Sequence, residues 1–374
     1  RRRTGKRQPS QTNKHNFQEG SQFMDNPQHE RGSVRALPEL LYALYKYRAM
    51  STVQVRKLTG YGARYIYDKL RRLRKEGYII SQNVKGGYIL NQKRQGKYHR
   101  LSQKGIYYLK EHGYDITQSA DDLRVSDKRL PYLLVGNDLS LELEMHGWEF
   151  KDSREVKKLE SVNRGDVLHG TLTNPNKDKE YLVYVLLQSV QTELIRQIKN
   201  EINRINIPNA LVVTRGEQSF NTTLSIFREK GNPLIKGGSV KVLPFQFAKH
   251  YLKISTDCLQ NHERFLSELG IKVLGGFHDK STLETNIHFD YLIEFDGEEM
   301  YLVDLLDNDL MKMLAVQEYR YERYSQDGRR VLVLTSDADF HREIHRDYLG
   351  SFHHIVYLPL NLNSVISFTK ALPF

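Results

Sequence analysis

Past residue 130 the chain spells one pattern twice, and this repeat constrains the fold more than any other feature. Around Asp166 the sequence runs RGDVLHGTL, a polar insert, EYLVYVLLQ, the helical stretch TELIRQIKNEINRI and NALVVTRG. Around Asp290 it runs HFDYLIEF, a DGEE turn, MYLVDLLDN, the helical stretch MKMLAVQEYRYERY and RVLVLTSD. Tyr184 to Leu211 is 27 positions and Asp304 to Leu332 is 28, so the copies stay in step. Short apolar runs bounded by turns read as strands, and the stretches of 3.6-residue period read as helices. Each copy therefore predicts strand, hairpin, strand, helix, strand, an α/β unit on a mixed sheet. The apolar segments 240–243 and 354–358 would add a further strand to each. An apolar helix at residues 130–146, with Trp148 packing behind it, opens the first copy. The expectation is two tandem α/β domains, residues 131–255 and 256–374.

With an acid on its first strand, this unit resembles the core of the restriction-endonuclease-like fold. The resemblance implies one acid on the first strand, then an acid and a lysine two residues apart on the next. Together these hold Mg²⁺ and activate a water. The second copy offers Asp290 and Asp304, but Leu306 stands where the lysine belongs, and Lys312 or Glu318 on the helix would have to compensate. The first copy offers Asp166, with Tyr184 and Leu186 in place of acid and lysine. Two degenerate nuclease-like folds are expected, kept for packing or partner binding, with no catalytic residue and no cofactor. Asp290, Asp304 and Mg²⁺ come into play only under a nuclease alternative.

The front of the chain differs in charge. Residues 1–112 hold 25 Lys+Arg against 7 Asp+Glu, or +18, and the other 262 residues hold 31 against 38, or −7. Such asymmetry points to a nucleic-acid-binding front end on a nearly neutral body. Residues 1–33, opening RRRTGKR, predict a disordered basic arm that would lie on phosphates or act as a solubilising tail. Residues 34–114 predict a winged helix-turn-helix. Leu37, Leu40, Leu41, Leu44 and Tyr45 give a first helix. Ser51 with Gln54 reads as a capping box opening a short helix that ends at Gly60. In residues 61–77, YGARYIYDKLRRLRKEG, Ile66, Leu70 and Leu73 form one apolar stripe on a basic helix closed by Gly77.

Strand-like segments at 79–80 and 88–90, a basic loop at 91–100 and a last helix from Leu101 complete the pattern, with residues 81–100 as the wing. The N-terminal half of a recognition helix faces base edges, which nominates Arg64, Tyr65 and Asp68. Arg71, Arg72 and Lys75 come later and suit phosphates, as do Lys93, Arg94, Lys97 and Arg100 on the wing. Residues 115–130 look like a linker.

Several chemistries are excluded or disfavoured. No run of about 18 apolar residues occurs and no signal-peptide pattern is present, so a soluble cytoplasmic protein without a membrane partner is expected. A single cysteine, Cys258, excludes an internal disulfide and a cysteine-built zinc site. No GxxxxGK[ST] phosphate loop is found. His341, His345 and Tyr348 share a helical face, an arrangement more often solvated or capping than metal-binding.

The layout resembles the replication-relaxation family of plasmids and integrative elements of Gram-positive bacteria. The resemblance rests on STVQVRKLTG followed by YGARYIYDKLRRLRKEGYI and HRLSQKGIYYL, on LPYLLVGNDLSLEL, and on RGDVLHGTL with its following strand and helix, over roughly residues 34–215. It implies a DNA-binding protein of a mobile element, acting in replication, DNA relaxation or conjugative transfer. The expected partners are double-stranded DNA, a second copy of the chain, and replication or transfer proteins. A metal-dependent nuclease or nickase and a transcriptional regulator of transfer genes are the alternatives.

Overall fold

The structure is a computed structural model that describes residues 37–84, 96–158, 161–229, 231, 233–260, 262–276, 289–319, 321–336, 345, 349–350 and 352–361. The predicted basic arm, residues 1–33, lies outside them. The protein is mixed α+β, with twelve helices and three sheets among the described residues.

The N-terminal unit runs α1 (Leu37–Lys46), β1 (Met50–Ser51), α2 (Thr52–Thr59), α3 (Ala63–Lys75), β2 (Ile79–Asn83), β3 (Lys97–Leu101) and α4 (Gln103–Glu111). The predicted capping box is present: Ser51 Oγ accepts from Gln54 N, and Gln54 Oε1 accepts from Ser51 N. Gly60 ends α2 at φ +70°, a left-handed conformation that favours glycine. Beyond α3, Gly77 takes φ +82° and Tyr78 N donates to Leu73 O at 3.0 Å, closing the helix as a Schellman motif. The sheet order is β1-β3-β2, with Ile79 opposite Leu101 and Met50 opposite His99.

One expectation fails here. The return strand is Lys97–Leu101, covering the end of the segment 91–100 read as a basic loop, so Lys97 and Arg100 sit on a strand. Tyr98, His99 and Leu101 are buried, and this burial outweighs the polar composition that suggested a loop. The predicted strand at 88–90 lies outside the described residues. Nor are residues 115–130 a free tether. Ile116, Ala120 and Leu123 are buried in the same apolar cluster as α1 and α4.

The body begins with α5 (Leu130–Glu144), β4 (Glu149–Asp152), α6 (Ser153–Val156), β5 (Gly170–Thr173), β6 (Glu180–Leu186), α7 (Thr192–Arg204), β7 (Asn209–Thr214), α8 (Glu217–Phe227), β8 (Val240–Pro244) and α9 (Phe245–Gln260). It continues through α10 (His262–Glu268), β9 (Lys272–Gly276), β10 (Tyr291–Phe295), β11 (Glu298–Asp304), α11 (Leu310–Glu318), α12 (Tyr321–Asp327), β12 (Arg330–Ser336) and β13 (Ile355–Leu360). Both sheets have five strands in sequential order, β4 to β8 and β9 to β13. In each, the first three strands pair antiparallel and the last three parallel. The repeat seen in the sequence is thus a repeat of topology. Residue 255, the expected end of the first unit, falls inside α9.

Strand pairing corrects how the copies correspond. Leu211 and Leu332, the anchors of the sequence match, lie beside Val183 and Leu302. Asp304 is then matched by Val185 rather than Tyr184, and Leu306 by Leu187 rather than Leu186. Gly170 faces Val183 as Tyr291 faces Leu302, so Asp290 is matched by His169 rather than Asp166. Asp166 precedes the strand altogether. Asn163 N donates to its carboxylate at 2.7 Å, and Arg204 pairs with it at 2.6 Å.

α5 joins the two halves. Asn137 Nδ2 donates to Tyr47 O and Ala49 O at 2.9 and 2.7 Å, and Gln54 Nε2 donates to Leu134 O. Lys57 pairs with Asp138 and Glu142, while Glu144 receives Lys46 and the Tyr47 hydroxyl. On its far side α5 lies on the first sheet, where a Cβ at Gly136 would come within 2.4 Å of the His169 ring. One apolar cluster consequently runs from Leu40 and Ile66 through Leu139 to Val183 and Leu211.

The two sheets also share a core, with Ile195, Ile198 and Ile202 of α7 in one cluster with Val303, Met313 and Val333. At the seam, Asp309 Oδ1 accepts from Val240 N at 3.1 Å and Asn308 Nδ2 donates to Val242 O at 2.7 Å. Lys241 pairs with Asp307 at 2.8 Å. Burial opposes the lysine's charge, but Asp307, Tyr181 and Asp309 together outweigh it and raise the pKa.

Candidate nucleic-acid interface

α3 carries the predicted contact residues, and its two faces are sharply different. Ile66, Lys69, Leu70 and Leu73 are buried. Arg64, Asp68, Arg71 and Lys75 follow at i, i+4, i+7 and i+11 on the opposite side, with Tyr65 and Arg72 beside them, and all six are exposed. Tyr67 and Arg74 are exposed on the flank of the same face. The helix therefore presents a polar, mainly cationic surface held by an apolar stripe.

Lys69 is the exception among its basic residues. It is only 7% exposed, with Nζ 5.7 Å from the Tyr61 ring centre and 5.9 Å from that of Tyr65. Burial, then Arg72, lowers its pKa. The two rings are themselves 4.6 Å apart, so Tyr65 rests one side on Tyr61 while the rest of its ring stays exposed.

The hairpin is fixed to α2 by His99. Its Nδ1 lies 2.8 Å from Ser81 Oγ on β2 and its Nε2 2.9 Å from Thr52 Oγ1 on α2. Burial, followed by Lys97 and Arg74, pushes its pKa down to about 4, so the ring is neutral. Lys97 is exposed on β3. Arg100 is not at the tip: its Nη1 donates to Ala120 O at 3.4 Å and ties β3 to the packed segment 115–130. Lys93 and Arg94 lie outside the described residues.

The second sheet brings together the acids named for the nuclease alternative. Lys312 Nζ is 3.0 Å from Asp290 Oδ2 and 3.0 Å from Asp304 O. Asp290 Oδ2 also accepts from Asp304 N at 2.8 Å, and Asp304 Oδ1 accepts from Leu306 N at 2.9 Å. Burial works against the Lys312 charge, but Asp290, Asp307, Asp304 and Asp309 together raise its pKa well above the ordinary value. Of the two helix residues named for compensation, Lys312 thus reaches Asp290 and the Asp304 backbone, whereas Glu318 is exposed at the far end of α11. In the first sheet the positions that match Asp290 and Asp304 are His169 and Val185, so neither acid has a counterpart there.

His345, of the histidine pattern set aside above, is buried between Thr335 Oγ1 at 2.6 Å and Asn308 Oδ1 at 3.3 Å. Among the described residues no cluster of three or more His, Cys, Asp or Glu side chains is disposed to hold a metal ion. No helix among them is long and apolar enough to cross a membrane.

Sequence reasoning missed the seat of this interface. Asn137 and Gly136 lie in an apolar helix and carry no local signal; only the two carbonyls and the ring they meet explain them. Lys69 was legible in principle, since it falls between Ile66 and Leu73 on the apolar side. No protein-family model, curated protein or solved structure matches the chain.

Proposed function

We propose that the chain is a sequence-specific double-stranded DNA-binding protein. Its N-terminal unit reads as a winged helix-turn-helix, with α2 and α3 as the helix pair, α3 as recognition helix and the β2–β3 hairpin as wing. The observation that carries this reading is the exposed face of α3, where Arg64, Tyr65, Asp68, Arg71, Arg72 and Lys75 face solvent on a helix anchored from behind. A helix of this kind enters a major groove with its N-terminal residues at base edges and its later cations at phosphates. The +18 charge of residues 1–112 supplies the long-range attraction.

The resemblance of the layout to the replication-relaxation family suggests a mobile-element setting, in replication, DNA relaxation or transfer. The tandem body, read as degenerate restriction-endonuclease-like folds, then serves dimerisation or partner binding. A mobility-shift and cleavage assay tests this, on fragments of the element that encodes the protein, with and without Mg²⁺, across a salt series. A specific shift with intact DNA supports the reading. Loss of any specific shift at every salt concentration would overturn it and leave α3 as a protein-docking surface.

A second reading, a metal-dependent DNA nuclease, is favoured by the approach of Lys312 to Asp290 and Asp304. Asp290 Oδ2 is already engaged by Lys312 and by Asp304 N, which favours a closed polar network over a metal seat. Mg²⁺-dependent cutting that disappears in Asp290→Ala would establish the nuclease.

A further inference from the structure

α3 carries six cations, Arg64, Lys69, Arg71, Arg72, Arg74 and Lys75, and a single acid within its bounds, Asp68. That acid lies in the middle of the exposed face, with Arg64 one turn before it and Arg71 and Arg72 one turn after. Neither Asp68 nor Arg64 has an ion-pair partner among the described residues, although Arg72 lies 3.8 Å from Glu76. The carboxylate is exposed and uncommitted at the centre of a surface otherwise suited to a polyanion.

Beside phosphates a carboxylate weakens binding by repulsion. It becomes favourable in a major groove only where it meets a base donor, and the donors there are cytosine N4 and adenine N6. An ionised Asp accepts only, so it lacks the donor needed for the two-point contact that Asn or Gln makes to adenine N6 and N7. Thymine O4 and guanine O6 are acceptors and would repel it. Cytosine is the base that fits.

We propose that Asp68 is a specificity-determining residue that accepts a hydrogen bond from cytosine N4 in the major groove, while Arg64 takes a guanine nearby. The two residues stand roughly 6 Å apart along the helix, about two base-pair steps. The guanine and cytosine are accordingly read within about two base pairs of each other. This deepens the double-stranded DNA reading and rests on it.

The test is selection from a random duplex library with the full chain, followed by the same selection with Asp68→Ala and Asp68→Asn. Circular dichroism confirms the fold of each variant, and Asp68 is exposed, so both should fold. The wild-type motif is expected to contain a cytosine preferred about tenfold over other bases at one position. Asp68→Ala should erase that preference alone, with binding to non-specific duplex equal or tighter. Asp68→Asn should move the preference toward adenine. A motif left unchanged by Asp68→Ala would overturn this inference and leave the DNA-binding reading standing. Failure of the wild-type chain to recover any motif or to shift any duplex would overturn both.

Discussion

Asn137 donates from one amide to two carbonyls in the turn between α1 and β1 and so ties the two halves together. Asn137→Ala would leave both acceptors buried and is expected to lower stability by about 1–3 kcal/mol, read by urea unfolding. Residues of the exposed α3 face should behave differently. Arg64→Ala should relax base preference with little effect on stability. Lys97→Ala should weaken all sequences alike and reduce the salt slope by about one, as expected for a phosphate contact. Equal losses from both, measured by salt-titrated mobility shift, would count against these roles. Arg64, Asp68 and Lys75 were legible because helical spacing alone sets them opposite Ile66 and Leu73. Arg100 was not, because its role depends on Ala120 O, a partner twenty residues away.

α2 and α3 carry their boundaries in plain local chemistry, which is why they were readable. Ser51→Ala removes the acceptor for Gln54 N and should lower stability by about 1 kcal/mol. Leu70→Ala opens the stripe beneath the basic face and should remove about 2–5 kcal/mol, with DNA affinity falling only as the folded fraction falls. Thermal melts alongside binding separate the two effects. The strands of the body were visible as elements but not in register. β6 and β11 are apolar on both faces, since each is covered on both sides, so no alternation fixes their phase. The shared letters YLV in EYLVYVLLQ and MYLVDLLDN therefore invited a match one residue out of step. β4 and β9 escaped notice for another reason: they are short edge strands whose pairing, not composition, defines them.

Lys241 and Asp307 hold the two sheets together at a seam where Asp307 is buried and Lys241 nearly so, so removing one charge strands the other. Lys241→Met should lower stability by about 3–5 kcal/mol, and Lys241→Met with Asp307→Leu should recover most of it; urea unfolding of both variants checks this. Acid should weaken the molecule as a whole. His99, His169 and His345 are each held neutral by burial, with pKa values of about 4 against the ordinary 6.5. Unfolding releases them to take up protons between those values, so stability is full above about pH 6.5 and declines as pH falls toward 4. Melting temperatures across that range should show it, with a shallower decline in His99→Gln. The seating of α5 has a further consequence for how copies of the chain would stand on DNA. With α5 seated against both α2 and the first sheet, the body would, on the proposed DNA-binding reading, be a pointer whose compass bearing around the duplex is set by the base pairs α3 engages. Two sites one helical turn apart, about 10 base pairs, would set two pointers in line, and five more base pairs would turn them to opposite sides.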